Sequence, residues 1–356
     1  MHARRDNPSI PAWSGDQLDS PSPPEIEAPY FDSDLGAWVL SRYADVLAAL
    51  RASSLAPVSP RSKNSWEPPD ESGGLKMRSE AMDALSPAQL RAWRGQIDPE
   101  AHFLAGRLPV GEPVELMNEY ARPLCLSLAA MVTGISRCAA ESICEQAQQA
   151  SAAAAEPYDP DLRDPAKSAN NGLRSHFHSG PEALRNSGFV AISQTMPCIL
   201  GNAWFALMQS PPEWTLLHQE PGLVEQAIEE LLRRAGLVRI LARRAMDSID
   251  LNGVSIRKGE RIILRIVAAN RDPDRFSCPE ELDLTRRDVG HLALGAGTHA
   301  CVGAGLIRMA AAAITHPLIQ RFASVTPASP VEWQGGSVFR SPKSLWVSLT
   351  SAEGEP

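Results

Sequence analysis

The sequence predicts a mainly α-helical fold with a small β portion. Three observations carry this expectation. Apolar residues recur at helical spacing over seven long stretches, β-type alternation is confined to short regions near 36–43, 238–270 and 331–349, and no internal repeat divides the chain. A length of 356 residues allows one or two domains, and a hydrophobic fraction of 44% is ample for a large core. The motifs described below favour one domain over 29–350, preceded by an extended segment, 1–28, rich in Pro, Ser and Asp.

In chain order, GAWVLSRY (36–43) predicts a strand. The next stretch, 44–54, predicts a helix with Val46, Leu47 and Leu50 on one face. Residues 55–79 are rich in Pro, Ser and Gly and are expected to form a loop, with Trp66 within it as a pocket cover or an anchor. Helices are expected over 86–106, 114–133 and 137–155, then a polar linker over 151–172. Helix returns at 182–209 and at 221–236, which ends on arginines and Gly236 as a helix C-terminus should. Short β runs follow, separated by polar turns and by Lys258-Gly259; the apolar run 262–264 is expected to be core strand. A last helix over 304–322 precedes a β-like tail at 331–349.

A net charge of −8 argues against binding nucleic acid, which needs a basic surface. Of 34 basic residues only five are Lys, so Arg carries most of the positive charge, through genome composition or through anion-facing sites. The six cysteines form no C-x-x-C pair and no secretory framework. No apolar signal core opens the sequence, and no run of about 18 apolar residues suggests a membrane span. A cytoplasmic protein with reduced thiols and no membrane partner is expected. His176 and His178 lack a nearby acidic or Cys partner and are expected to be ordinary loop residues.

Chemistry concentrates in HLALGAGTHACVGAGLIRMAAAAI (291–314). Gly295, Gly297, Gly303 and Gly305 flank Cys301, and an Ala-rich helix starts directly after it. Glycines let the backbone turn tightly and approach a flat ligand. A cysteine at a helix N-terminus is favoured as a thiolate, which suits a haem iron. A buried structural cysteine is the competing reading. A phosphate-cradling loop fits poorly, because no Gly-Lys-Ser/Thr ending is present.

GAGTHACVGAGLIR resembles the haem-binding loop of the cytochrome P450 family, Phe-x-x-Gly-x-x-x-Cys-x-Gly, with Leu294 where Phe is usual. EELLR (229–233) matches the family's Glu-x-x-Arg helix, AANRDPDRFSCPEELDLTR (268–286) its connecting segment, and GAWVLSRYADVLAALR the first strand and helix of bacterial members. The resemblance implies the P450 fold and haem b (iron protoporphyrin IX) with Cys301 as the axial ligand. Gly295 and Gly303 then shape its loop, His299 and Arg243 hold the haem propionates, and Glu230 with Arg233 form a buried structural pair. The helix before residue 100 usually supplies a His-x-x-x-Arg pair. Gln89 and Trp93 are taken to stand there, with Arg91 and Arg94 adjacent, which makes Gln89 and Arg94 expected haem-edge residues.

Departures from the family qualify this. The oxygen-activating motif, Ala-Gly-x-(Asp/Glu)-Thr, aligns with Ala191, Ile192, Ser193, Gln194 and Thr195. Thr195 is retained for catalysis, but an amide at Gln194 cannot relay a proton as an acid does, so Ser193 and ordered water would have to assist. Pro197 should kink this helix. Glu281 stands where an Arg often completes the Glu230–Arg233 group. The chain is short for the family between Gly134 and Ala191, which implies a shortened lid and access for a large or carrier-tethered substrate. Ala191, Ile192, Leu237, Ile240 and Phe339 are the expected substrate contacts.

The implied activity is monooxygenation of a small apolar or secondary-metabolite substrate, with electrons from a ferredoxin and its reductase. Two alternatives stand beside it: a peroxide-dependent or redox-neutral haem-thiolate enzyme, and a haem-free module that recruits a carrier protein.

Overall fold

The structure is a computed structural model that describes residues 23–58, 71–156, 159–178, 180–287, 289–336 and 338–351. Trp66 and most of the expected N-terminal segment lie outside the described residues; 23–28 carry neither helix nor strand.

The chain opens with β1 (Tyr30–Asp32), β2 (Ala37–Leu40), α1 (Tyr43–Arg51) and β3 (Leu55–Pro57). It continues through α2 (Glu71–Ala84), α3 (Pro87–Arg107), β4 (Pro113–Glu115) and α4 (Arg122–Thr133), the last entered through a π-helical turn over Met117–Ala121. The helices α5 (Arg137–Ser142), α6 (Cys144–Ala155), α7 (Arg163–Arg174) and α8 (Asn186–Val190) follow. A second π-helical turn, Ala191–Thr195, leads into α9 (Met196–Met208). After α10 (Pro211–Gln219) and α11 (Val224–Ala235) come β5 (Ile240–Ala245), β6 (Ile249–Leu251), β7 (Val254–Ile256), β8 (Arg261–Arg265) and α12 (Ile266–Ala269). The chain ends with α13 (Ala304–Arg321), β9 (Phe322–Pro327), β10 (Glu332–Gly335), β11 (Arg340–Ser344) and β12 (Trp346–Ser351).

Two expectations are corrected here. The segment expected as loop over 55–79 is strand and helix at its two ends, β3 and α2. The polar linker over 151–172 contains α7, whose Ala166, Ala169 and Leu173 form a buried stripe that small side chains hid from a hydrophobicity reading. Among the described residues, the stretch between α4 and α8 holds only the short helices α5, α6 and α7, besides two 3₁₀ turns.

The sheets are small. Strands order as β1-β2-β8-β5-β3, with β2 and β8 parallel and the other pairs antiparallel; β4-β12-β9 forms a three-stranded sheet, and β6-β7 and β10-β11 are hairpins. Along β5 the side chains alternate. Ile240 packs with Ala37, Val39 and Ile263 on one face, whereas Leu241 joins α1 residues, Leu292 and Ala296 on the other. Helix α9 is buried all round: of its 13 residues only Cys198 is not buried. This explains its near-continuous apolar sequence, which marks a central core helix. The segment Glu182–Met208 is long and apolar enough to cross a membrane, but 72% of its apolar window is buried inside the fold.

Candidate haem-thiolate site

Cys301 lies in the loop between α12 and α13, two residues before the capping residue Gly303. The loop is drawn tight by its own backbone. Gly295 N–H donates to Leu292 O at 2.9 Å, Cys301 N–H to Leu294 O at 2.7 Å and Ala300 N–H to Gly297 O at 3.1 Å. Gly295 and Gly297 take φ of +73° and +69°, which only glycine adopts cheaply. Gly297 also has no room for a side chain: a Cβ there would stand 2.6 Å from Leu50 O at the end of α1. Gly297→Ala should therefore displace the loop from α1 and lower the melting temperature measurably, by about 1–3 kcal/mol of stability. A melt indistinguishable from the parent would refute this close approach.

Cys301 is exposed as a residue. Burial of its thiol raises the pKa, while a hydrogen bond from the Gly303 N–H and the charges of Arg78 and Arg308 act in the opposite direction. Arg78 is a half-buried residue of α2. On β5, Arg243 is 5% exposed, and its side chain donates only to the carbonyl of Ala242, at 2.9 Å, among the described residues. Burial lowers the pKa of Arg243. It lies on the strand face of Leu241, whose cluster contains the loop residues Leu292 and Ala296. A buried guanidinium without a carboxylate, at the edge of a thiol-bearing loop, is a site for an anionic group.

Beneath the loop, Glu230 and Arg233 are fully buried and doubly hydrogen-bonded, with Nε–Oε2 at 2.7 Å and Nη2–Oε1 at 2.8 Å. Arg233 Nη1 also donates to the carbonyls of Asn270 and Pro279, each at 2.8 Å. Asn270 Oδ1 in turn accepts from Leu292 N–H at 2.7 Å, at the entrance of the Cys301 loop. Arg286 Nε sits 3.2 Å from Glu230 Oε2. Arg286 thus supplies the second cation that Glu281, by its identity, cannot.

A second ionic group braces α13 to α11. Arg308 Nη2 donates to Glu229 Oε2 at 3.0 Å and its Nε to Oε1; His291 Nε2, with its side chain 2% exposed, lies 3.4 Å from the same Oε2. Ala293 N–H donates to His291 Nδ1, so the ring's own proton faces Glu229. The His291 ring and then Arg308, acting against burial, hold the Glu229 carboxyl at about 2. A carboxylate whose pKa is depressed on folding stabilises the protein above its unfolded value, about 4.3, and loses that contribution as pH falls toward 2. Glu229→Gln should accordingly flatten the acid limb of melting temperature against pH between about 4.5 and 2. An unchanged limb would contradict the assignment.

Across from this loop in sequence, the Ala191–Thr195 turn is π-helical, with Met196 N–H donating to Ala191 O. Pro197 follows at the second position of α9 and removes the next donor. Ala191 is exposed and Gln194, Thr195 and Cys198 are half-buried, so these four form the more open face; Ile192 and Ser193 are 7% and 5% exposed and point into the core. The Gln194 amide donates toward Cys144 Sγ on α6 at 3.5 Å and Ser193 Oγ at 3.3 Å.

The sequence profile of the Cytochrome P450 family matches residues 208–343, which hold Glu230, Arg233 and Cys301. A cytochrome P450 of Priestia megaterium, CYP107DY1, is 42% identical over 156 residues, 43% of this chain and 38% of that protein. The biotin biosynthesis cytochrome P450 of Bacillus subtilis is 28% identical over 293 residues, 74% of each chain. The crystal structure of P450BioI in complex with acyl carrier protein bearing hexadec-9Z-enoic acid superposes with a TM-score of 0.78 at 23% identity, covering 88% of this chain and 92% of that one. The chain is similar to cytochromes P450, in sequence over residues 208–343 and in fold over 88% of its length.

The residues present fit the haem of a P450. The donor set is an exposed thiol on a glycine-bent loop, with the uncompensated guanidinium of Arg243 at its edge to meet a propionate. His299 is exposed on the short 3₁₀ turn Gly297–His299 directly before Cys301. Leu237, with Val238 bridged to Phe339, brings the end of α11 and the C-terminal hairpin together.

Other expected P450 positions move. Arg94 is tied to Glu225 at 2.5 Å and Asp98 at 3.4 Å on the α3 surface, and Gln89 lies in the first turn of α3, its backbone N–H capped by Ser86. Neither is held at the Cys301 loop. The arginines whose charges reach Cys301 are Arg78 and Arg308; of these Arg78 lies in the helix before residue 100, and Gly74 and Arg78 keep the His-x-x-x-Arg spacing with glycine in place of His. That spacing was the available signal. Ile240 is 1% exposed, on the strand face opposite Leu241 and Arg243, and is core, not cavity. Ile192 and Leu237, 7% and 5% exposed, are likewise core, which leaves Ala191 and Phe339 as the open positions among the expected substrate contacts. His176 and His178 join no group of metal-ligating side chains among the described residues.

Proposed function

We propose that this chain is a haem-thiolate monooxygenase acting on an apolar substrate. The observation that carries this reading is Cys301, presented on its glycine-bent loop with Arg243 buried on the neighbouring strand. When bound, haem b would supply one-electron and dioxygen chemistry at its iron, with Cys301 as axial ligand and Arg243 and His299 at the propionates. Inserting one oxygen atom into a C–H bond while the other leaves as water consumes two electrons and two protons. A ferredoxin and its reductase are the proposed donors. Thr195 would hold a proton on the more open face of the Ala191–Thr195 turn, while Ala191 and Phe339 shape the apolar wall.

The chain aligns with well under half of the first relative's length, and its substrate is inferred from its own residues. The short stretch between α4 and α8 supports a reduced lid and a large or carrier-tethered substrate. Its P450BioI neighbour binds a fatty acid delivered on acyl carrier protein. A role in secondary metabolism and a cytoplasmic location complete the reading.

A second reading, peroxide-dependent or redox-neutral turnover, is favoured by one observation: the Gln194 amide is engaged with Cys144 Sγ and Ser193 Oγ, and Ser193 is itself buried, so neither side chain is free to order water for proton delivery. Turnover should be compared with ferredoxin, reductase and dioxygen against peroxide alone. Strict dependence on electron donors supports monooxygenation; equal or faster peroxide turnover overturns it in favour of the second reading.

A further inference from the structure

Gln194 aligns with the acid of the oxygen-activating motif, yet its side chain is committed to other protein groups. Its amide nitrogen donates to Ser193 Oγ at 3.3 Å and to Cys144 Sγ at 3.5 Å, so both of its N–H bonds are taken up. Ser193 is its chain neighbour, but Cys144 is the first residue of α6, 50 positions away. The Gln194 carbonyl accepts from Cys198 Sγ at 3.2 Å, which fixes the turn that presents this amide to the first coil of α9.

Helix α6 depends on such contacts. Its sequence, CEQAQQASAAAA, offers mostly methyl groups; after Ile143, buried just ahead of it, only Ala147 and Ala150 are buried within the helix. Two alanine methyls remove little apolar area from water. The helix packs most on α7, which belongs to the same stretch between α4 and α8, so that pairing does not by itself fix it to the distal turn. Its other end carries a second tie: Ala155 O accepts from Val338 N–H at 3.3 Å, at the hairpin tip beside Phe339. Val338 O accepts from Arg239 N–H at 2.8 Å and Val238 bridges Phe339, so that tip is itself anchored. At about 1.5 Å per residue, α6 is a strut about 18 Å long. It runs from the turn that exposes Ala191 to the hairpin of Phe339, the two positions left open among the expected substrate contacts.

We propose that Gln194 is a positioning residue: its amide clasps α6 to the Ala191–Thr195 turn and so sets the width of the apolar site between Ala191 and Phe339. In this role Gln194 selects substrate by size and moves no proton. The inference rests on reading the stretch between α4 and α8 as the lid proposed above, and it is independent of whether electron donors or peroxide drive turnover.

The test is hydrogen exchange of the α6 amides over 148–155 in the haem-loaded protein, followed by ligand titration. Cys144→Ala and Gln194→Leu should each speed this exchange about fivefold, the loss of one hydrogen bond, and the double variant should go no further. Cys144→Ser keeps an acceptor at that place and should restore the parent rate. Alkyl imidazoles, read by the shift of the haem absorption band, then report on the site. Cys144→Ala should weaken dodecylimidazole about fivefold and leave imidazole itself unchanged, because only the longer ligand reaches α6. Cys144→Ala decides alone if Gln194→Leu does not fold. A chain that takes up no haem refutes the proposed function and leaves the exchange measurement to decide the clasp. Unchanged exchange in Cys144→Ala, no restoration by Cys144→Ser, or an equal loss for imidazole and dodecylimidazole overturns the proposal.

Discussion

Cys301→Ala is expected to leave the fold intact and to abolish the thiolate signature of the haem-loaded protein. The side chain is on an exposed residue, and the loop is shaped by backbone bonds from Gly295, Ala300 and Cys301 N–H to carbonyls, none of which involves the sulfur. Removing Sγ therefore costs little stability, within about 0.5 kcal/mol. It removes the one soft anionic ligand placed on this loop. The reduced, CO-bound Soret band should lose its thiolate-type red shift, and turnover should fall by about 10³-fold or more, beyond what loss of a single charge-stabilising donor costs. Retention of the shifted band would mean that another residue ligates the iron. Loss of folding would mean that Cys301 is structural, the alternative its sequence context left open.

The two ends of the legibility scale are visible in this site. Cys301 with its glycines was singled out because that pattern sits within one short segment, and Glu230 with Arg233 because the family resemblance implies the pair and one helical turn then fixes its geometry. What failed depended on which way an element faces. Ile240 was expected in the cavity, but in a strand a single position decides the face, and Arg243 three residues on takes the other one. Ile192 was expected to line the site from its place in the aligned oxygen-activating motif; on the π-helical turn it is buried, while Ala191 is exposed and Gln194 and Thr195 are half-buried. Arg94 was expected at the haem edge because it lies beside Trp93 on α3, the long periodic helix, whereas Arg78 lies on α2, within a Gly-rich stretch expected to be loop. Arg286 was invisible as a partner of Glu230, since 56 positions separate them and only tertiary folding brings them to 3.2 Å. Lastly, the polar linker concealed α7, whose buried stripe is two alanines and one leucine.

Glu230→Gln should be the most destabilising single change in the molecule, at about 3–5 kcal/mol, because it leaves the guanidinium of Arg233 buried without its counter-charge. Against a total stability of about 5–15 kcal/mol, that is enough to unfold a substantial fraction at growth temperature. The damage should also be directional. Arg233 holds the carbonyls of Asn270 and Pro279, and Asn270 Oδ1 holds Leu292 N–H at the mouth of the Cys301 loop, so a loosened Arg233 releases the loop from behind. Haem retention should fall faster than helix content in the same preparation, measured by absorbance and far-UV circular dichroism. A double variant separates the charge from the packing. Glu230→Leu with Arg233→Met removes both partners and replaces them with apolar volume, and Arg286, whose side chain is 11% exposed, can turn toward solvent. That protein should recover part of the lost stability in denaturant melts, since a buried pair is costly mainly when half of it is left behind. It should not recover haem affinity, because Met at 233 donates to neither Asn270 nor Pro279. Equal stability of the single and double variants would show that the packing around Arg233, and not the charge pair, holds the loop in place.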